Sequence, residues 1–322
     1  MVHFMRMCRL AVLLALALPA GAMAETYPSH PIRVVVPFAA GGPLDIVARA
    51  VTEKMAASMK QTFVIDNRGG AGGNIGNEVV AKAAPDGYTI LITLSSTLTV
   101  NPSIYKHMSF NPIKDLRPVS MLVDSHQMLV VNPSVPAKTL AEFIAYAKSH
   151  EINYAHAGYG SPGHLAMEYF SQVAGFKAHA IPYRGNAPLV VALLAGDVQA
   201  GFVSSAGVAP QVRQGKLRAF ITSGSKRSTV VPEVPTAAEA GYPNFKIDIQ
   251  FDMLVPAATP DAIVAMLERE ARAAVNDPDL QKKFEALDFE PIGSTGAEAK
   301  KRLIADTALW SKVVKQAGMH ID

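Results

Sequence analysis

Residues 34–50 (VVVPFAAGGPLDIVARA) constrain the fold most, because the hydrophobic pattern changes its period within them. β-Branched residues run up to Pro37, Gly41 and Gly42 follow, and apolar residues then recur at helical spacing. This order predicts a strand, a glycine loop and a helix. The first N–H groups of such a helix have no partner within it, and the helix dipole favours negative charge there. The junction therefore suits an anion, and a valine at Gly41 is expected to block it.

A second junction of this kind lies at residues 152–173. A short strand (INYAHA) leads into a loop (GYGSPG) and then into an amphipathic helix (HLAMEYFSQV). Pro162 fits the first turn of that helix, and Ser161 occupies the capping position before it. The two junctions predict two similar α/β lobes, and if these lobes face each other, their crevice has an anion site on either wall.

Strand-like runs alternate with amphipathic stretches along the whole chain, which is typical of βαβ units and of mainly parallel sheets. The predicted strands cover residues 32–36, 62–66, 89–93, 120–131, 153–157, 178–182, 200–203, 217–222 and 250–255. The predicted helices include residues 44–59, 139–149, 187–194, 260–276 and 297–317.

Two segments are candidates for crossings between the lobes. Residues 120–131 are long for one strand and have a proline close to either end, and residues 246–255 follow a turn-rich stretch. Two crossings predict a discontinuous first lobe, residues 25–124 with 248–322, and a second lobe at residues 125–247. Hinges of this type let two lobes close on a ligand.

The first 24 residues have the pattern of a secretory signal peptide. Arg6 and Arg9 precede an apolar core at residues 10–18, and an A-x-A cleavage site ends at Ala24. The apolar run is too short to span a bilayer. Cleavage would also remove Cys8, the single cysteine, which excludes disulfides, thiolate metal sites and a cysteine nucleophile. The sequence thus predicts an exported chain with no membrane insertion after cleavage.

Charge and histidine spacing exclude several classes of partner. Lysine and arginine total 30 against 27 aspartates and glutamates, so there is no electrostatic case for nucleic acid or a membrane surface. The nine histidines lack metal-binding spacing. We expect no metal and no cofactor, and partners that are small molecules or a specific protein.

Parts of the two loops also match the motifs of other protein classes. Residues 158–163 match G-x-G-x-x-G, but the acid that would bind a ribose about 20 residues later is missing. Ser161 and His164 leave an exported hydrolase as an alternative, although Tyr159 breaks the G-x-S-x-G pattern. Asp45 is interpreted mainly as a first-turn acid, with a contact to a cationic ligand group as the functional alternative. Arg184, after a predicted strand, could place a cation at the crevice.

Eight motifs in order resemble one known family, the Bug-type periplasmic receptors of tripartite tricarboxylate transporters. They are VPFAAGGPLDIVAR (36–49), VIDNRGGAGGNIG (64–76), PDGYTILI (85–92), NPSIY (101–105), GYGSPGHLAMEYF (158–170), PYRGNAP (182–188), GKLRAF (215–220) and VPTAAEAGYP (234–243). The resemblance covers nearly all of the chain after the leader.

The resemblance implies a type II periplasmic-binding-protein fold of two α/β lobes, without enzymatic activity. It implies a periplasmic receptor, expected as a monomer, that delivers a small organic carboxylate to membrane transporter subunits; a signalling partner is the alternative. The implied ligand-binding residues are Phe38, Ala40, Gly41, Gly42, Ser95, Ser96 and Asn101 on one wall, and Tyr159, Gly160, Ser161, His164, Tyr183 and Phe202 on the other. Asp45 and Ser204 complete the predicted set.

The chain departs from the family pattern at two places. Many members carry Asp-Asn after the phenylalanine equivalent to Phe202, whereas Val203 and Ser204 stand here. An acid for an amino group is therefore missing, which disfavours an amino-acid ligand. Many members also have a tryptophan where this chain reads Gln250-Phe251-Asp252, so the pocket shape on that side is not implied by the resemblance.

Overall fold

A computed structural model describes residues 27–245 and 247–317; the predicted leader lies outside them. The strands are β1 (Ile32–Val36), β2 (Phe63–Asn67), β3 (Thr89–Leu94), β4 (Leu116–Val131), β5 (Asn153–His156), β6 (His179–Pro182), β7 (Ala200–Ser204), β8 (Arg218–Thr222), β9 (Asp248–Pro256) and β10 (Glu290–Pro291). The helices are α1 (Pro43–Met59), α2 (Asn74–Ala81), α3 (Ser95–Thr99), α4 (Asn101–Ile104), α5 (Pro112–Asp115), α6 (Leu140–Ser149), α7 (Pro162–Ala174), α8 (Asn186–Ala195), α9 (Ser205–Arg213), α10 (Asp261–Val275), α11 (Pro278–Ala286) and α12 (Gly296–Ala317).

The strands form one continuous network with two parts that share β4. The order is β2-β1-β3-β9-β4-β7-β5-β6, with β8 and β10 also pairing with β4. Up to His126, β4 pairs with β9, and from Gln127 onward it pairs with β7 and β8. We call the part around β1, β2, β3 and β9 the first lobe, and the part around β5, β6, β7 and β8 the second lobe.

Strand direction differs between the edges and the centre of this network. β1 runs parallel to β2 and β3, and β5 runs parallel to β6 and β7. β9 is antiparallel to β3 and β4, and β4 is antiparallel to β7 and β8. The expectation of mainly parallel sheets is therefore wrong at the centre, where β4 and β9 connect the lobes instead of belonging to βαβ units.

Apolar faces of the helices bury the core on both sides. In α1, Val47, Val51 and Met55 are fully buried at the helical spacing that the sequence shows. In the second lobe, the rings of Phe170 and Phe202 lie 5.6 Å apart within an aromatic cluster under α7. Packing of this kind holds α1 and α7 against the strands of their lobes, which fixes where each of these helices begins.

The predicted strands and long helices agree with the observed ones within a few residues. Not predicted are the two-residue strand β10, the helices α9 and α11, and the short helices α3, α4 and α5. Within the described part of the chain, we find no helix with the length and apolarity needed to cross a bilayer.

Candidate ligand-binding cleft

The starts of α1 and α7 line one cavity between the two lobes. Pro43 and Leu44 come from α1, and Pro162 and Gly163 from α7. The empty space there is about 470 Å³, with open solvent included. The remaining lining residues are Phe38, Ala39, Gly42, Leu94, Gln127, Ala157, Asn186, Ser204, Ile249 and Phe251. We call this space the inner cavity. None of its described lining residues carries a charged side chain.

Backbone N–H groups are the donors that such helix starts provide. The first bond within α1 runs from the N–H of Ile46 to the carbonyl of Gly42, at 3.0 Å, and the corresponding bond in α7 runs from Leu165 to Ser161, at 3.1 Å. N–H groups before these positions have no partner inside the helix. Because both helices begin with proline, which has no N–H, the donors nearest the cavity are those of the second and third helical residues.

Asp45 organises the loop before α1. Its Oδ2 accepts hydrogen bonds from Gly41 N at 2.9 Å and from Arg49 Nε at 2.8 Å, and its Oδ1 accepts one from Asn67 Nδ2 at 3.0 Å. Burial would raise the pKa of Asp45, but the bonds from Arg49, Gly41 and Asn67 outweigh it and hold that pKa below its usual value. Both carboxylate oxygens are thus used by the protein, as a first-turn acid requires, and neither is directed to a cationic ligand group.

Ala40 and Gly41 lie on the exposed side of this loop, outside the inner cavity. A Cβ added at Gly41 would meet nothing within 4 Å, and the Gly41 N–H is already bound by Asp45. The loss of binding expected for Gly41→Val stays a prediction, although Gly41 lies outside the inner cavity. Gly42, with an extended backbone, is the glycine of this loop that lines the cavity.

In the loop before α7, Gly160 and Ser161 are buried, whereas Tyr159 is exposed. Ser161 N donates to the Gly158 carbonyl at 3.0 Å, and Gly160 N donates to His164 Nδ1 at 3.3 Å. Ser161 is fully buried, and its Oγ finds no hydrogen-bond partner in the described structure. A Cβ added at Gly163 would lie 2.1 Å from the Phe202 carbonyl oxygen, so only glycine fits at that helical position.

Two neutral histidines support this loop from behind. The rings of His156 and His164 lie 4.7 Å apart, and both side chains are buried. Burial, reinforced by His156, lowers the pKa of His164 to about 3, and burial also lowers the pKa of His156. His164 is therefore a hydrogen-bond acceptor and a weak base. It makes no hydrogen bond to Ser161 within the part of the chain described, so the nucleophile–base contact of a hydrolase is not formed.

Three predicted residues of the first lobe lie beside the cavity and not in its lining. Ser95 Oγ accepts from Gln250 N at 3.2 Å, and Ser96 is buried close by with no described partner for its Oγ. Asn101 Nδ2 donates to the Gly72 carbonyl at 3.1 Å, and a Cβ at Gly160 would lie 2.4 Å from Asn101 Oδ1. Asn101 therefore belongs to the contact between the lobes.

The two predicted residues of β7 differ in placement. Ser204 lines the inner cavity, and its Oγ lies 2.8 Å from Ser125 Oγ. Phe202 is 1% exposed and packs against Phe170 and Phe245, so its side chain belongs to the core of the second lobe.

A second space, which we call the outer cavity, adjoins the inner one. Phe38 and Ala157 line both, and the outer cavity holds about 770 Å³, open to solvent. Its other lining residues are Gly69, Gly70, Ala71, Gly72, Gly73, Tyr105, Gly158, Tyr159, Pro182, Tyr183 and Arg184.

The lobes touch at the floor of the outer cavity. Tyr105 Oη in the first lobe donates to the Tyr159 carbonyl in the second lobe at 2.9 Å. A Cβ added at Gly72 would lie 2.1 Å from that same carbonyl oxygen. The two backbones are thus in direct contact, and the structure represents a closed arrangement of the cleft.

Sequence reasoning missed several side chains of the inner cavity. Gln127 and Ile249 stand where β4 and β9 pass between the lobes, and Asn186 begins α8, a third helix that starts at the cavity. The side-chain amide groups of Gln127 and Asn186 form no hydrogen bond with any other described residue. The predicted crossings and the PYRGNAP motif were the signals that could have pointed to these residues.

The departure at Gln250-Phe251-Asp252 shapes one side of the inner cavity. Phe251 lines it, whereas Gln250 Nε2 turns to Asp124 Oδ2 at 3.2 Å. Asp252 is buried, and burial, with Asp306 and Asp124 nearby, raises its pKa to about 8. Asp252 is therefore protonated at neutral pH and adds no charge to this side. Across the described residues, no group of histidine, cysteine and acidic side chains could hold a metal ion.

Comparison with known proteins identifies the family. A family model described as the tripartite tricarboxylate transporter family receptor matches residues 47–319. Protein BugT of Bordetella pertussis is 36% identical over 301 residues, covering 92% of either chain. The chain belongs to this receptor family. It is a periplasmic solute-binding receptor and not an enzyme.

Solved structures give the same fold. A periplasmic transporter structure matches with a TM-score of 0.89 and 35% identity, over 92% of this chain and 100% of that one. The R. palustris protein Rpa4515 with adipate matches at 0.88 and 32%, over 91% and 99%. MatC from Rhodopseudomonas palustris with bound malate matches at 0.85 and 32%, over 89% and 100%. The predicted periplasmic-binding-protein fold is thus confirmed.

Proposed function

We propose that this receptor captures a small organic carboxylate in the inner cavity and delivers it to the membrane subunits of a tripartite tricarboxylate transporter. The observation that carries the proposal is that α1 and α7, from opposite lobes, begin at one cavity lined by no charged side chain. Each helix start favours an anion by roughly 0.3–1 kcal/mol, and by up to ~2 kcal/mol where partly buried.

The cavity also supplies neutral polar groups and apolar walls. Gln127 and Asn186 offer amide donors, Ser204 offers a hydroxyl, and Phe38 and Phe251 pack the sides. Hydrogen bonds to a charged acceptor are stronger than neutral ones, so a carboxylate can be bound here without an arginine. The bound adipate and malate of two relatives support this ligand class.

Affinity in this proposal comes from closure of the two lobes around the ligand. We assign residues 25–124 with 248–322 to one lobe and residues 125–247 to the other, and β4 changes partners between His126 and Gln127, close to this division. The contact of Gly72 with the Tyr159 backbone and the contact of Gly160 with the side chains of Asn101 and Ile104 then form only when the cleft closes.

We further propose export by the leader at residues 1–24, cleavage before Glu25, and a monomeric mature protein. N-terminal sequencing of the periplasmic form and light scattering test these points; retention of Met1, or a dimeric mass, would contradict them.

Calorimetric titration tests the ligand class directly, with aliphatic mono-, di- and tricarboxylic acids compared with the corresponding neutral amides. We expect at least one acid to bind and its amide not to bind. A ligand at a hundred times its Kd should stabilise the protein by about 2.7 kcal/mol in thermal unfolding. Equal binding of an amide and its acid would contradict an anion site, and turnover of the acid would contradict a receptor.

A further inference from the structure

Among the described residues that line the two cavities, Arg184 alone has a charged side chain. It follows β6 in the second lobe and lines the outer cavity together with three tyrosines, Tyr105, Tyr159 and Tyr183. The described lining of both cavities contains no carboxylate. A cation here therefore faces no competing acid within the cleft.

The guanidinium of Arg184 forms no ion pair or hydrogen bond with another residue of the described chain. Eight other described arginines each have a carboxylate oxygen within 4 Å: Arg33, Arg49, Arg68, Arg117, Arg227, Arg269, Arg272 and Arg302. Arg218 donates to the backbone carbonyls of Val135 and Ala137, and Arg213, like Arg184, has no ion pair with a described residue but lines neither cavity. Arg184 thus keeps its donors available to an anion that enters the cleft.

The backbone around Arg184 is fixed on both sides. Tyr183 N donates to the His156 carbonyl at 2.8 Å. Gly185 has a φ of +116°, and a Cβ there would lie 3.2 Å from Ala39 N and Ala39 Cβ in the first lobe. The closed cleft therefore holds Arg184 at its mouth, next to the loop whose Gly42 lines the inner cavity.

We propose that the outer cavity is a second anion subsite, in which Arg184 binds the distal carboxylate of a ligand whose first carboxylate occupies the inner cavity. The body of such a ligand passes Phe38, the ring shared by the two cavities. Arginine presents paired N–H donors to a carboxylate, and the hydroxyl groups of Tyr159 and Tyr183 can add further donors. The receptor then prefers dicarboxylates over monocarboxylates of equal chain length. This inference rests on the proposed function.

Matched acids separate the two subsites. Affinities are measured by calorimetry for linear dicarboxylates from succinate to suberate and for the linear monocarboxylates of the same carbon number. We expect the wild-type protein to prefer the dicarboxylate from a certain chain length upward, because only a long enough ligand reaches from the inner cavity to Arg184.

Substitution then tests the residue. Arg184→Gln should weaken the best dicarboxylate about tenfold to a hundredfold and leave the monocarboxylate of equal length unchanged, because a hydrogen-bonded charge pair is lost. Arg184→Lys should restore part of the affinity. Arg213→Gln is the matched control, since Arg213 is exposed in the second lobe, has no ion pair with any described residue and lines neither cavity.

The outcomes separate this proposal from the proposed function. Equal weakening of both acids by Arg184→Gln, or no weakening of either, would overturn the outer subsite while carboxylate binding stands. An effect of Arg213→Gln as large as that of Arg184→Gln would show a general loss of charge and would also overturn it. If the wild-type protein binds no acid of either series, the proposed function itself fails.

Discussion

The two glycine loops that precede α1 and α7 share a sequence pattern but differ in their surroundings. Gly41 and Gly160 have nearly the same φ, +77° and +78°. Around Gly41 there is open space, whereas Gly160 faces Asn101 and Ile104 of the opposite lobe. The first loop is therefore stabilised locally by an acid of its own helix, and the second depends on close packing and on the closed cleft.

The two loops with this motif are stabilised by different acceptors for the glycine N–H. In the first loop, Asp45 takes the Gly41 N–H and is itself charge-paired with Arg49. In the second loop, a neutral His164 takes the Gly160 N–H in a buried environment. Substitutions in the second loop should therefore have the larger effects on both stability and binding.

The largest effect is expected at Gly163. Gly163→Ala places a Cβ 2.1 Å from the Phe202 carbonyl oxygen, which is backbone and cannot move aside. We expect a loss of about 3 kcal/mol in the free energy of unfolding, measured by denaturant titration. Gly42→Ala is the matched control in the first loop, where the nearest atom would be 3.4 Å away. Equal stability of the two variants would contradict the proposed difference in packing between the loops.

A comparison of Gly160→Ala with Gly41→Ala separates the effect of a clash between the lobes from the effect of backbone strain. Both changes force an alanine into a left-handed backbone and should cost about 1–2 kcal/mol of stability. Only Gly160→Ala also clashes with Asn101 and Ile104, so its Kd for a carboxylate should rise by a further tenfold to hundredfold. Thermal unfolding and calorimetry together make the comparison, and equal Kd values for the two variants would contradict a closure contact at Gly160.

Asp45→Asn tests how the first loop is held. The variant loses the charge that accepts from Gly41 N, Arg49 Nε and Asn67 Nδ2, and we expect about 2 kcal/mol of lost stability at pH 7. Because the pKa of Asp45 is lowered in the folded protein, its contribution is complete above the unfolded pKa of about 4 and is lost as pH falls through the folded value. Urea titrations of both proteins across this range measure it; a difference that persists at pH 2 would exclude the charge as its cause.

His164→Asn tests the second loop in a higher pH range. A folded pKa of about 3 against an unfolded value near 6.5 means that stability is complete above pH 6.5 and falls as the pH decreases toward 3. Asparagine keeps an acceptor for the Gly160 N–H but cannot be protonated. We expect the wild-type protein to lose about 1–2 kcal/mol more than the variant between pH 7 and pH 5. Identical pH profiles of the wild-type protein and the variant would show that protonation of His164 does not contribute to the loss of stability.

Much of the fold was predictable from the sequence because local patterns determine it. The hydrophobic period at residues 32–36 and 44–59 gave β1 and α1 within a residue, and the proline before Gly163 marked the start of α7. The antiparallel centre was not predictable in this way, because the direction in which β4 and β9 pair depends on contacts between distant segments.

For the candidate cleft, the sequence predicted the two helix starts on opposite sides but not which side chains line the space between them. The repeated strand-loop-helix pattern indicated two helix starts, and Phe38, Gly42 and Ser204 line the inner cavity. Ala40 and Gly41 lie on the exposed side of their loop, and Phe202 lies in the core, because neighbouring residues of a loop or strand face different directions. Gln127, Asn186 and Phe251 lie in segments that the sequence analysis singled out, but only the folded chain brings their side chains to one cavity.

The sequence by itself determined the α/β alternation, the two glycine junctions and the family, because hydrophobic period, proline and glycine act over a few residues. The tertiary structure decided which N–H groups are already satisfied, that two histidines are neutral, and that an unpaired Arg184 stands at the mouth of an uncharged cavity. Hydrogen-bond satisfaction, desolvation and proximity across a cleft depend on segments that meet only when the chain has folded.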